Sequence, residues 1–240
     1  MNVDTTTRTA SRPLLVTGCG RSGSRYTASA LTAAGLPCTH ERVFTGRDGD
    51  VTGVIGGHAE SSWFAVPWMS RLQPDTLVMH QVRDPLKCIA SYVGMGFFDH
   101  RPRERPLWKH YVKRAVGTPP SGQLRIIRMV ERSQPHVFEP DTPARRGAMF
   151  WLCWNEWVEQ QCRDLGLTYC RIRLEDIDCA VITGLINEVR GTARADADRR
   201  IAAIPTDTNT RGRRSSLSWS DLGENGDAVA RLARRYGYER

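Results

Sequence analysis

The chain has 240 residues, with 34 Lys and Arg against 26 Asp and Glu and a net charge of +8. It is long enough to close one α/β core and basic enough to favour a partner carrying phosphates or sulfates, but zinc-finger spacing, aromatic-basic RNA motifs and long basic tracts are missing, which argues against nucleic acid. Its seven cysteines form no C-x-x-C pair and no apolar run approaches the ~20 residues of a membrane helix, which argues against a zinc site, a disulfide scaffold and a membrane span, and for a reducing cytoplasm.

Residues 1–12 are polar and Thr-rich and read as a frayed tail; residues 13–240 read as one domain with a helical or loop insert at 96–143. Residues 14–16, Leu-Leu-Val, have the bulk of a buried parallel strand. They run into a turn with Gly18, Gly20 and Gly23, and residues 24–34 follow as an alanine- and leucine-rich helix. A Gly-rich turn between strand and helix bares N–H groups at the positive end of the helix dipole, which makes an anion cradle. Gly18 and Gly23 keep the spacing of the ATP-binding loop G-x-x-x-x-G-K-[ST]. Ser24, however, stands where that loop has its Lys, and Arg25 where it has its Mg²⁺-holding hydroxyl. The cation is displaced to Arg21, so metal-dependent triphosphate chemistry is poorly served and no metal is expected.

Residues 38–44 read as a second strand carrying His40 and Glu41, and 45–57 as a glycine-rich loop. In an α/β sheet, ligands bind beyond the carboxyl ends of strands, so Glu41 is a candidate general base. Ser62, Trp63, Phe64 and Trp68 form either core or a wall for an acceptor. Residues 77–82 make another buried strand that turns at Arg83-Asp84-Pro85, with Asp84 as N-cap and Pro85 at the first helical position. Ser91 lies on that helix, eight residues after Arg83. Residues 96–143 are the least legible, basic and aromatic, then broken by prolines. A helix over 144–165 carries a Trp stripe that reads as core, with Asn155 and Glu156 facing away. A strand at 167–174 ends in Glu175-Asp176, read as an acidic cap for a helix at 181–190. A basic, Gly-containing stretch at 209–214 precedes a final helix from 220 to about 236.

The segment Gly20-Arg21-Ser22-Gly23-Ser24-Arg25-Tyr26, followed in order by Arg83 and Ser91, resembles the cofactor motifs of sulfotransferases that use 3′-phosphoadenosine-5′-phosphosulfate, bacterial members among them. The resemblance implies a P-loop-like three-layer α/β fold with a central parallel sheet flanked by helices. It implies that Gly20, Arg21, Ser22, Gly23 and Ser24 cradle the 5′-phosphosulfate and that Tyr26 lies near the adenine. Arg25 replaces a small hydroxyl residue of the family and leaves its backbone N–H as the contact. Arg83 and Ser91 would take the 3′-phosphate, with Arg211 and Arg213 closing over it. Glu41, or else His58 or Glu60, would take the proton of a hydroxyl or amine acceptor, and Arg21 would serve the departing phosphate. The alternatives are an ATP-dependent small-molecule kinase with a diverged loop and a non-catalytic nucleotide- or polyanion-binding module.

Overall fold

A computed structural model describes residues 11–45, 55, 59–99, 122–205 and 216–239, with backbone alone at 122–124. The fold is α/β. Five parallel strands stand in the order β2-β3-β1-β4-β5, with β1 at Leu14–Thr17, β2 at Cys38–His40, β3 at Ala59–Ser61, β4 at Leu77–Val82 and β5 at Thr168–Arg173. β1 and β4 are buried along their whole length, as expected of parallel strands covered on both faces.

Alternate residues of these strands feed two separate cores. Leu14, Val16 and Met79 pack with Ala30 and Leu31 of α1 (Ser24–Ala33) and with Ile182 and Ile186 of a later helix, α5 (Cys179–Val189). Leu15 and Val78 pack on the opposite face with Cys88, Ile89 and Tyr92 of α2 (Pro85–Gly94) and with Phe150, Trp151 and Trp154 of α4 (Pro143–Asp164). Helices on both faces of one sheet make three layers. The neighbouring strands β1 and β4 therefore send their helices to opposite sides, which opens a crevice beyond their carboxyl ends, the usual ligand position in such sheets.

Local signals place the helices. Asp84 accepts from the Lys87 N–H at 2.9 Å ahead of Pro85. Thr142 caps α4 through the Arg145 N–H, ahead of Pro143. Within the poorly legible insert, α3 (Gly122–Ser133) sends Ile127, Met129 and Val130 into the core beside Val137 and Phe138. Helix α6 (Ala197–Ala202) joins the α1 face through Ala197 and Ile201. Among the described residues, no helix is long and apolar enough to cross a membrane.

Several expectations are corrected. The strand expected over 38–44 stops at His40, because residues 41–44 bend around the buried Glu60 carboxylate, which accepts from the N–H groups of Arg42 and Val43 at 2.9 and 3.1 Å. The sequence reading missed β3, whose Ala-Glu-Ser carries no apolar run. Asn155, expected to face away, is fully buried. Glu175 caps no helix; it accepts from the Tyr238 hydroxyl at 2.7 Å, while Asp178 caps α5 through the Val181 N–H at 2.8 Å. The final helix is broken: a 3-10 turn at Trp219–Asn225 bends at Gly223, and α7 spans Gly226–Arg235.

Candidate functional site

The turn from β1 to α1 lies at the crevice. Gly23, at φ +93°, is the N-cap of α1 and offers no side chain, so the N–H groups of the first helical turn have no side-chain cap. Three successive carbonyls of the turn are held from outside. Gly20 O accepts from the Cys88 thiol at 3.2 Å, Arg21 O from Arg83 Nη1 at 3.0 Å, and Ser22 O from Gln81 Nε2 at 2.6 Å. In a trans peptide the N–H points opposite to its C=O, so pinning these carbonyls turns the N–H groups of Arg21, Ser22 and Gly23 away from Cys88, Arg83 and Gln81. Gln81 is itself fixed by the Thr27 hydroxyl at 2.7 Å. Space enforces the glycines as well: a Cβ at Gly18 would lie 2.1 Å from Gln81 O, and one at Gly23 2.5 Å from Leu174.

Arg21 adopts φ +67°, a conformation rare outside glycine and costing about 1–3 kcal/mol. Its Nε donates to Ser91 Oγ at 2.9 Å. Ser91 lies on α2, and Arg83 at the end of β4 reaches the Arg21 carbonyl, so the two motifs expected to hold two anions meet at one place. Ser24 Oγ is 3.1 Å from His40 Nε2, and Ser61 Oγ donates to Ser24 O at 2.9 Å. Arg25 is exposed on the first turn of α1, and Tyr26 is half-buried beside it.

Glu41 is the second residue with a strained backbone, at φ +56°. Its side chain is about a third exposed and lies 3.8 Å from His40 Nε2. Burial and then the neighbouring Glu60 push its carboxyl up to about 7, against the pull of Arg21, Arg25 and the Trp63 indole N–H. Burial and Arg25 lower the His40 imidazole. Glu60, one rival base, is spent on structure: it is wholly buried, accepts from the Thr39 hydroxyl and shapes the bend that carries Glu41. His58, the other rival, and Arg211 and Arg213 lie outside the described residues. Trp63 and Phe64 are core, with Trp63 also touching the site through Glu41.

The sequence reading missed a support beneath the turn. His80 Nε2 is 2.9 Å from Asn155 Oδ1, which also accepts from the Cys19 N–H at 3.4 Å, and His80 Nδ1 is 2.9 Å from the Tyr169 hydroxyl. The amide oxygen only accepts, so His80 carries its proton on Nε2 and takes the Tyr169 proton on Nδ1. Burial lowers its pKa to about 4, which keeps it neutral. A separate cleft of about 560 Å³ lies around Glu159, Arg171 and Arg235, and its lining includes none of the turn residues.

Fold and site together define an α/β protein with an arginine-bearing, glycine-rich turn at the switch point of a parallel sheet. In comparisons with protein-family models, curated proteins and solved structures, none matches this chain.

Proposed function

We propose that the protein is a sulfotransferase that moves a sulfuryl group from 3′-phosphoadenosine-5′-phosphosulfate to a hydroxyl or amine acceptor. The observation that carries this reading is the 2.9 Å bond from Arg21 to Ser91, which joins the turn to the Arg83–Ser91 pair and so supports their serving one adenosine bisphosphate. The turn's amides and Arg21 receive the 5′-phosphosulfate. Arg83 offers a planar fork suited to phosphate, and Ser91 a neutral donor. With ligand, Arg21 exchanges its Ser91 acceptor for a phosphate oxygen, while Arg83 keeps one N–H on the Arg21 carbonyl and offers others to phosphate.

In the reaction the acceptor oxygen or nitrogen attacks sulfur in line, and the bond from sulfur to the 5′-phosphate oxygen breaks. The acceptor's proton passes to Glu41, whose carboxyl at about 7 is poised as a general base. Charge growing on the departing phosphate is met by Arg21 and the turn's N–H groups. Ser24 and Arg25, where an ATP-binding loop has its Lys and metal-holding hydroxyl, argue against a kinase. The seven unbridged cysteines support a reducing, cytoplasmic setting.

Thermal-shift measurements with 3′-phosphoadenosine-5′-phosphate, ATP–Mg²⁺ and AMP test the reading. The bisphosphate should stabilise most, and Arg21→Ala should abolish both that shift and sulfuryl transfer. A larger shift with ATP–Mg²⁺ points instead to a kinase; bisphosphate binding without transfer to any acceptor points to a binding module.

A further inference from the structure

His40 closes β2 and reaches α1: its Nε2 is 3.1 Å from Ser24 Oγ, and Ser24 opens the helix directly after Gly23. Ser61 of β3 holds both residues. Its hydroxyl donates to Ser24 O at 2.9 Å, its carbonyl accepts from the Glu41 N–H at 3.1 Å, and it stands beside His40 in the sheet register. The sheet thus sets the contact between the two side chains. The direction of that contact decides what Ser24 can do. A neutral imidazole carries one N–H and one bare, accepting nitrogen. Burial and the nearby Arg25 lower the His40 pKa, which keeps the ring neutral. Nε2 also faces Glu41 Oε1 at 3.8 Å. An ionised carboxylate only accepts, so a bare Nε2 would set its lone pair against the carboxylate, whereas a proton on Nε2 points at two oxygens. Ser24 Oγ then accepts, and its own hydrogen is left with no protein acceptor among the described residues. Ser24 is half-buried, on the first turn of α1, whose N–H groups have no side-chain cap.

We propose that His40 is a positioning residue: it engages Ser24 Oγ as an acceptor and so turns the Ser24 hydrogen to an oxygen of the anion held by residues 20–25. The inference rests on reading the turn as a phosphosulfate cradle and adds to it a residue, outside the loop, that sets the polarity of a loop hydroxyl. It also ties donor to base. Ionised Glu41, the form that takes the acceptor's proton, is the form that favours the proton on His40 Nε2.

The test is made at ~pH 8, where His40 is neutral and Glu41 largely ionised. In calorimetric titrations with 3′-phosphoadenosine-5′-phosphate, His40→Leu should bind roughly 3- to 10-fold more weakly than wild type, the range of one hydrogen bond. His40→Gln, whose amide nitrogen falls near the place of Nε2, should recover most of that loss; the shorter His40→Asn should not. In a Ser24→Ala background His40→Leu should cost nothing further, because the hydroxyl it acts through is gone. NMR of the imidazole nitrogens in ligand-free wild-type protein, which needs no variant to fold, should find the His40 proton on Nε2. Wild-type affinity in His40→Leu, an equal loss with and without the Ser24 hydroxyl, or a proton on Nδ1 overturns the proposal and leaves the cradle reading standing. A wild-type chain that takes up no bisphosphate removes the cradle reading, and the His40 proposal with it.

Discussion

Glu41 shows how one residue gathers a chemical role from its surroundings. Its backbone is bent to φ +56° by a turn wrapped on Glu60, and that same Glu60, after burial, raises its carboxyl to about 7. A general base works only when deprotonated, so the rate should rise with pH and level off above a midpoint near 7. Glu41→Gln should lose that pH dependence and cost about 10²–10⁴-fold in kcat, read from steady-state rates between acid and mildly alkaline pH. Stability should move the other way. The folded carboxyl binds its proton more tightly than an ordinary one, at about 7 against 4.5, so the folded state holds the extra proton between those values. Wild-type stability is therefore highest below that window and declines as pH rises through it. Urea unfolding should find Glu41→Gln more stable than wild type above the window; no gain there would mean that the site does not disfavour the Glu41 carboxylate.

At the scale of elements, the turn is held by what lies under and beside it. β4 supplies Gln81 and His80, α2 supplies Cys88, and α4 supplies Asn155. Asn155→Leu keeps the volume but removes the acceptor shared by His80 Nε2 and the Cys19 N–H. Each buried donor left unmade costs about 1–3 kcal/mol, so chemical denaturation should show a loss of several kcal/mol, with bisphosphate affinity falling as the turn loosens. A loss under about 1 kcal/mol would mean that the pair does not anchor the turn. The elements themselves were largely legible. Leu-Leu-Val, the Asp84-Pro85 start and the Trp stripe carry their signals locally. Asn155 was not, since a polar residue beside a Trp stripe reads as solvent-facing until a partner such as His80 is known. β3 was not legible either: Ala-Glu-Ser becomes a strand because β1 and β2 bond it on both sides, and its glutamate is satisfied by distant residues.

Across the whole molecule, the excess of eight positive charges and the gathering of Arg21, Arg25 and Arg83 at one end of the sheet should draw anions from a distance. The Debye length shrinks from roughly 10 Å at 0.1 M salt to roughly 3 Å at 1 M, so bisphosphate affinity should fall severalfold over that range. A salt-independent affinity would remove the arginines from the binding energy. By itself the sequence determined the α/β class, the glycine turn and the Arg83-Asp84-Pro85 helix start, because each is written in neighbours within a few positions. Only the tertiary structure decided that Arg21 touches Ser91, and that Glu60 supports the bend while Glu41 stands beside the arginines. Those contacts join strands and helices far apart in the chain, and their distances depend on how the sheet stacks β1 beside β3 and β4, which no local pattern of residues encodes.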